Sequence, residues 1–203
     1  MHIPPADHGI VAVDVETTGL GHNGIPPRED VIIEVGAAWR AGGQMQTWSM
    51  LCDPGSKWFE NGHADKALRI NGLSKESISK APSSRLVAEV FCEELLGQLS
   101  ICEHGLLAYH RAFERGFLSQ EPWLLPEEAF GPCLMVAAAR KVGYVESAHL
   151  ALWKACQRLG IVQDSTNTHS AAHDAEVAYL VWEALGKPWL PTADEPEVAH
   201  GRA

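Results

Sequence analysis

No apolar run in this 203-residue chain approaches the roughly 20 residues needed to cross a bilayer, so no transmembrane segment is expected. The opening stretch MHIPPADHG lacks a basic region followed by an apolar core and does not read as a signal peptide. Cysteine is sparse: Cys52, Cys92, Cys102, Cys133 and Cys156 are odd in number and none sits in C-x-x-C spacing. That pattern argues for reduced thiols in a cytoplasmic setting. Positive charge is also short, with 16 Lys and Arg against 26 Asp and Glu and a net charge of −10. Such a balance disfavours a protein that coats duplex nucleic acid through its general field. There is no internal repeat and no linker long enough to separate two domains. One domain is expected over residues 1–186, followed by a C-terminal tail over 187–203 that is rich in proline and acids and has no periodicity.

The most informative stretch is GIVAVDVETTGL, residues 9–20. Ile10, Val11, Ala12 and Val13 form a buried-strand pattern, and Asp14 and Glu16 follow two positions apart. Side chains at that spacing point to the same side of a strand. Two anions side by side on a core strand repel and resist desolvation unless a cation is shared between them, or unless the strand end simply reaches solvent. Oxygen donors with no Cys or His beside them favour Mg²⁺ or Mn²⁺ over Zn²⁺. Thr17, Thr18 and Gly19 then supply small residues and a backbone able to approach a ligand closely.

Further along, residues 31–39 read as a second strand, with Glu34 as a strand residue at a rim, and residues 44–52 as a third strand after a Gly42-Gly43 hairpin turn. Trp58 and Phe59 fall in a loop, where they can stack on bases or pack into the core. A short helix is expected at 64–70 and a covering helix at 84–99, with Leu86, Val87, Val90, Phe91, Leu95 and Leu96 at helical spacing. A short strand at 105–109 precedes a helix that carries Glu114. Helices are expected at 133–142 and 149–159, the latter capped by Ser147 and ended by Gly160. His149 reads as a surface or capping residue and His173 as an exposed one. A terminal helix buries Ala175, Ala178, Tyr179, Trp182 and Leu185.

DVETTGL, residues 14–20, resembles the first motif of the DEDDh exonucleases, the family of the DNA polymerase proofreading subunit, RNase T and oligoribonuclease. The second motif of that family is approximately A-H-N-x-x-F-D-x-x-F-L. Ala108, Phe113, Phe117 and Leu118 keep its frame, with Glu114 in place of the Asp and His110 in place of the Asn. The third motif, H-x-A-x-x-D-A, is matched by His169, Ala171, Asp174 and Ala175. The connection at 71–74 and the helix patterns at 133–142 and 149–161 resemble the family's as well.

The resemblance implies an α/β, RNase H-like mixed sheet, a three-stranded antiparallel meander extended by a parallel strand and flanked by helices. It implies a metal-dependent 3′–5′ exonuclease that releases nucleoside 5′-monophosphates from 3′ ends. Asp14, Glu16, Glu114 and Asp174 would hold two Mg²⁺ or Mn²⁺ ions, and His169 would accept a proton from the attacking water. Thr17, Thr18, Gly19 and Leu20 would seat the terminal nucleotide. With no basic stripe visible, single-stranded or short ends are favoured over long duplex. The substitutions at Glu114 and His110 also fit a module that binds nucleic-acid ends with weak or lost catalysis. No membrane partner is implied, and no feature specifies a homodimer or an association with a polymerase.

Overall fold

The computed structural model describes residues 3–20, 30–144, 149–162 and 169–188; the loop expected at 21–29, Ser147 and most of the expected tail lie outside the described residues. The carboxylate strand forms as β1 (Val11–Thr17), in the interior of a sheet ordered β3-β2-β1-β4. Strand β2 (Ile32–Ala41) pairs antiparallel with β1, and β3 (Gln44–Leu51) pairs antiparallel with β2. Strand β4 (Leu106–Leu107) runs parallel to β1, completing the expected mixed sheet. It is shorter than the expected 105–109 because its ladder consists of Val11 opposite Leu106 and Ala12 opposite Leu107.

Eight α-helical segments flank the sheet among the described residues. Helix α1 (Asp65–Ile70) is followed by α2 (Lys75–Ser79), which starts on a reciprocal cap between Ser74 and Ser77. The expected covering helix is α3 (Ser84–Glu89), which passes through a π-helical segment (Val90–Leu95) into α4 (Leu96–Gln98). Its buried stripe is Val87, Ala88, Phe91, Leu95 and Leu96; Leu86, expected in that stripe, is exposed. Then come α5 (Arg111–Leu118), α6 (Leu134–Lys141), α7 (Leu152–Leu159) and α8 (Ala171–Ala184). Helix α7 starts later than the expected residue 149, because Ala151 is extended (φ −59°, ψ 144°) and serves as its N-cap. Gly160 ends it in the left-handed region at φ 73°, as expected.

The period-two alternation of β1 divides its side chains between two cores. Val11, Val13 and Val15 face Val87, Phe91, Leu95 and Phe117. Ile10 and Ala12 face the opposite side, against Leu134, Ala138, Ala178, Tyr179 and Trp182. Asp14 and Glu16 continue that second series, so they stand on the face covered by α8. The apolar end of this face buries the later turns of α8, and the acidic end meets its first turn. Arg40 at the far end of β2 fixes the other end of the helix, donating from Nε and Nη2 to the two carboxylate oxygens of Glu183 at 2.9 and 2.8 Å.

Candidate active site

Helix α8 approaches β2 so closely that a side chain on Gly36 has no room: a Cβ there would lie 2.2 Å from the carbonyl carbon of Ala171. Gly36 is the register partner of Asp14, and Glu34 that of Glu16. The register slips between Glu16 and Thr17, which pairs with Ile32. This arrangement brings the start of α8 over the acids of β1. Donor atoms of Glu16, His169 and Asp174 all lie within 4.8 Å of one another. Asp174 sits in the first turn of α8, its amide donating to the Ser170 carbonyl at 2.9 Å. His169, just before the helix, is exposed and has a left-handed backbone, φ 69°.

Glu114 enters from the other side, on α5. It is 3% exposed, so it is no surface carboxylate. Its Oε1 is 3.4 Å from the His110 amide, and its buried Oε2 has no hydrogen-bond partner among the described residues. Burial, followed by the charge of Asp174, pushes the Glu114 carboxyl up to about 8 despite its backbone hydrogen bonds. Burial and the charges of Asp174 and Glu34 push Glu16 up to about 8. Asp14 is raised well above the usual carboxylate range, first by burial and then by Glu114, Glu16, Asp174 and Glu34. Asp174 is raised by burial, with His173 and His169 pulling the other way.

Four carboxylates that resist ionisation together, one of them with an orphaned buried oxygen, constitute a site built around positive charge. The donors are oxygens with a single imidazole at the edge, a set suited to hard divalent cations such as Mg²⁺ or Mn²⁺. The residues present therefore fit the metal ions implied by the motifs.

The profile of the RNase T-type exonuclease family matches residues 11–182, spanning every residue of this cluster. The chain belongs to the DEDDh exonuclease family. As a DEDDh exonuclease it is 28% identical over 202 residues to ribonuclease T of Escherichia coli O9:H4 (strain HS), with 91% of each chain covered; ribonuclease T of Shigella flexneri matches equally. Among solved structures it resembles the nuclease domain of 3′hExo, a DEDDh family member bound to rAMP, with TM-score 0.63 and 15% identity over 88% of this chain and 92% of that one. A 3′-exonuclease solved in the recognition of a histone mRNA stem-loop superposes with TM-score 0.68 and 16% identity, covering 88% of this chain and 64% of that one. At those identities the structures establish the RNase H-like fold.

The turn after β1 in this exonuclease is held from inside. Thr17 and Thr18 are buried; Thr17 donates its hydroxyl to the Gly19 carbonyl at 2.7 Å, and Thr18 donates to Asp30 Oδ1 at 3.0 Å. Asp30 also meets His63 Nε2 at 3.0 Å. Leu20 is what the turn presents outward, at 75% exposure. It borders a cleft of about 610 Å³ walled by His110, Phe113, Met135, His149 and Leu152. The rings of His110 and His149 stand 5.7 Å apart, so His149 is a cleft residue and not a helix cap. Phe59 packs on Ile33, Ala64, Leu68 and Ile78, its commoner fate. Trp58 lines a different cavity beside Asp30, with Lys57 Nζ 4.9 Å from its ring centre.

Sequence reasoning missed Glu34. It is no rim residue: 7% exposed, it points at the start of α8, where its Oε2 accepts from the Ala171 amide at 3.5 Å. Its even-numbered place in β2, in the same series as Gly36, was the available signal.

Proposed function

We propose that this chain is a 3′–5′ exonuclease that hydrolyses the terminal phosphodiester of single-stranded or short nucleic-acid ends and releases nucleoside 5′-monophosphates. The observation that carries this reading is the convergence of Glu16, His169 and Asp174 within 4.8 Å beside half-buried Asp14 and buried Glu114. Asp14, Glu16, Glu114 and Asp174 would hold two Mg²⁺ or Mn²⁺ ions. When bound, these supply Lewis-acid stabilisation of the charge that develops on the transferring phosphoryl group and its leaving oxygen. His169, exposed at the mouth, accepts the proton of the attacking water. Leu20 packs on the terminal base, and the adjoining cleft takes the next part of the strand.

A chain of charge −10 repels a long polyanion, so substrate is engaged at its end, where the cations sit. RNA is the favoured polymer because the matched relatives are named for ribonuclease activity and for histone mRNA. Five cysteines, an odd number with no C-x-x-C spacing, suit a cytoplasmic setting. The exonuclease unit spans residues 1–186, followed by a C-terminal tail over 187–203. The test is to incubate 5′-labelled single-stranded RNA and DNA with Mg²⁺ or Mn²⁺, with and without EDTA. Stepwise shortening from the 3′ end, abolished by EDTA, is expected. No mononucleotide release with either metal would overturn the proposal.

A further inference from the structure

Glu34 is the carboxylate outside the three motifs, and it joins the sheet half of the cluster to the helix half. It stands opposite Glu16 on the neighbouring strand. Its Oε2 accepts from the Ala171 amide at 3.5 Å, and Ser49 on β3 hydrogen-bonds to the same side chain. Ala171 opens α8, where unpaired amides need acceptors, and Ser170 at the N-cap position makes no side-chain cap. The acceptor comes from the sheet instead. The bond is long, and its weight comes from its setting: it is buried, and two residues along β2 the bare Gly36 lets the helix rest on the strand backbone.

We propose that Glu34 is a positioning residue for the reaction. It sets the first turn of α8 against β2, so that His169, just before Ala171, and Asp174, just after it, meet Glu16. A cluster spread over three separate segments of chain needs such a tether, because small displacements of reacting groups cost large factors in rate. Ser49 holds the tether's own rotamer. Only the kinetic part of this inference rests on the exonuclease reading.

The test uses the full chain with Glu34→Ala and Glu34→Gln. The amide oxygen of Gln can still accept from Ala171, so it preserves the brace while removing the charge. For Glu34→Ala, kcat on a single-stranded oligonucleotide is expected to fall more than about tenfold, with KM changed less than about threefold. Without metal, amide hydrogen exchange at residues 171–174 should speed up while β1 and β2 stay protected. Glu34→Gln should stay within about threefold of the parent in kcat and match its exchange. The proposal is overturned if Glu34→Ala keeps parental kcat and exchange, or if Glu34→Gln loses kcat more than about tenfold with parental exchange, which would make the charge and not the brace the active element. Should Glu34→Ala fail to fold, Ser49→Ala replaces it: faster exchange at 171–174 is expected, and parental exchange overturns the brace. A parent chain that releases no mononucleotide sinks the exonuclease reading, while the exchange comparison still decides the role of Glu34.

Discussion

Asp14 on β1 lies opposite Gly36 on β2, and the side chain that Gly36 lacks is the space in which α8 begins. An acid of the cluster and the helix that brings its partners are thus brought together by one missing methyl group. Gly36→Ala would place a Cβ 2.2 Å from the Ala171 backbone, and backbone cannot swing away as a side-chain tip does. The helix start must lift, separating Asp174 from Glu16. We expect a loss of about 1–3 kcal/mol in stability by thermal or urea unfolding, and a loss of kcat larger than that destabilisation implies at assay temperature.

The site acids give a pH dependence of defined sign. Glu16 and Glu114 are raised to about 8, and Asp14, Glu34 and Asp174 are raised as well, so the metal-free fold binds more protons than the unfolded chain. For an acid whose folded pKa is raised, stability is complete below its unfolded pKa and declines as pH climbs towards the folded value. In EDTA the melting temperature should therefore fall between about pH 5 and about pH 8. Mn²⁺ should raise it, and by more at the higher pH, with protons released into a weak buffer on binding. A melting temperature in EDTA that rises across that range would contradict the assignment.

Glu114 exchanges stability for chemistry. Its Oε2 is buried with no partner among the described residues, so the ionised side chain strains the metal-free fold. Glu114→Gln should raise the melting temperature in EDTA near pH 8 while lowering kcat at least about a hundredfold. Glu114→Asp keeps the charge and shortens the reach, and it should retain activity to within about tenfold. A larger loss would show a site built around the longer side chain.

His169→Ala removes the exposed imidazole proposed as the proton acceptor and leaves every carboxylate in place. A fall in kcat of about 10²–10⁴ is expected, with little change in the affinity for a 3′ end measured by fluorescence anisotropy in Ca²⁺. Parental turnover in this variant would remove His169 from the reaction.

Asp30 anchors the turn after β1 through Thr18, and it crowds Gly19, where a Cβ would come within 2.4 Å of its Oδ1. Asp30→Ala should loosen that turn and raise KM more than it lowers kcat. Equal losses in both would place Asp30 in support of the metal cluster instead.

Much of this was legible in the chain. The D-x-E spacing on β1, the frame around Glu114 and the spacing of His169 and Asp174 are local patterns, and each landed on the predicted kind of element. Glu34 escaped because one acid in an apolar run looks like a strand edge, and the group that explains it, Ala171, is 137 residues away. The late start of α7 escaped because the sequence at 149–151 does not show that Ala151 is extended. Helix α2 was passed over although its Ser74 and Ser77 cap is a local signal. The roles of Thr17 and Thr18 were half readable: small residues were needed there, but their hydroxyls serve the turn itself.

The double hydrogen bond between Arg40 and Glu183 sits at the opposite end of α8 from the acids. A rod of 14 residues, about 20 Å long, is thereby fastened at both extremities. The pair from Arg40 at one end and the Ala171–Glu34 contact at the other both resist rotation of the rod relative to the sheet.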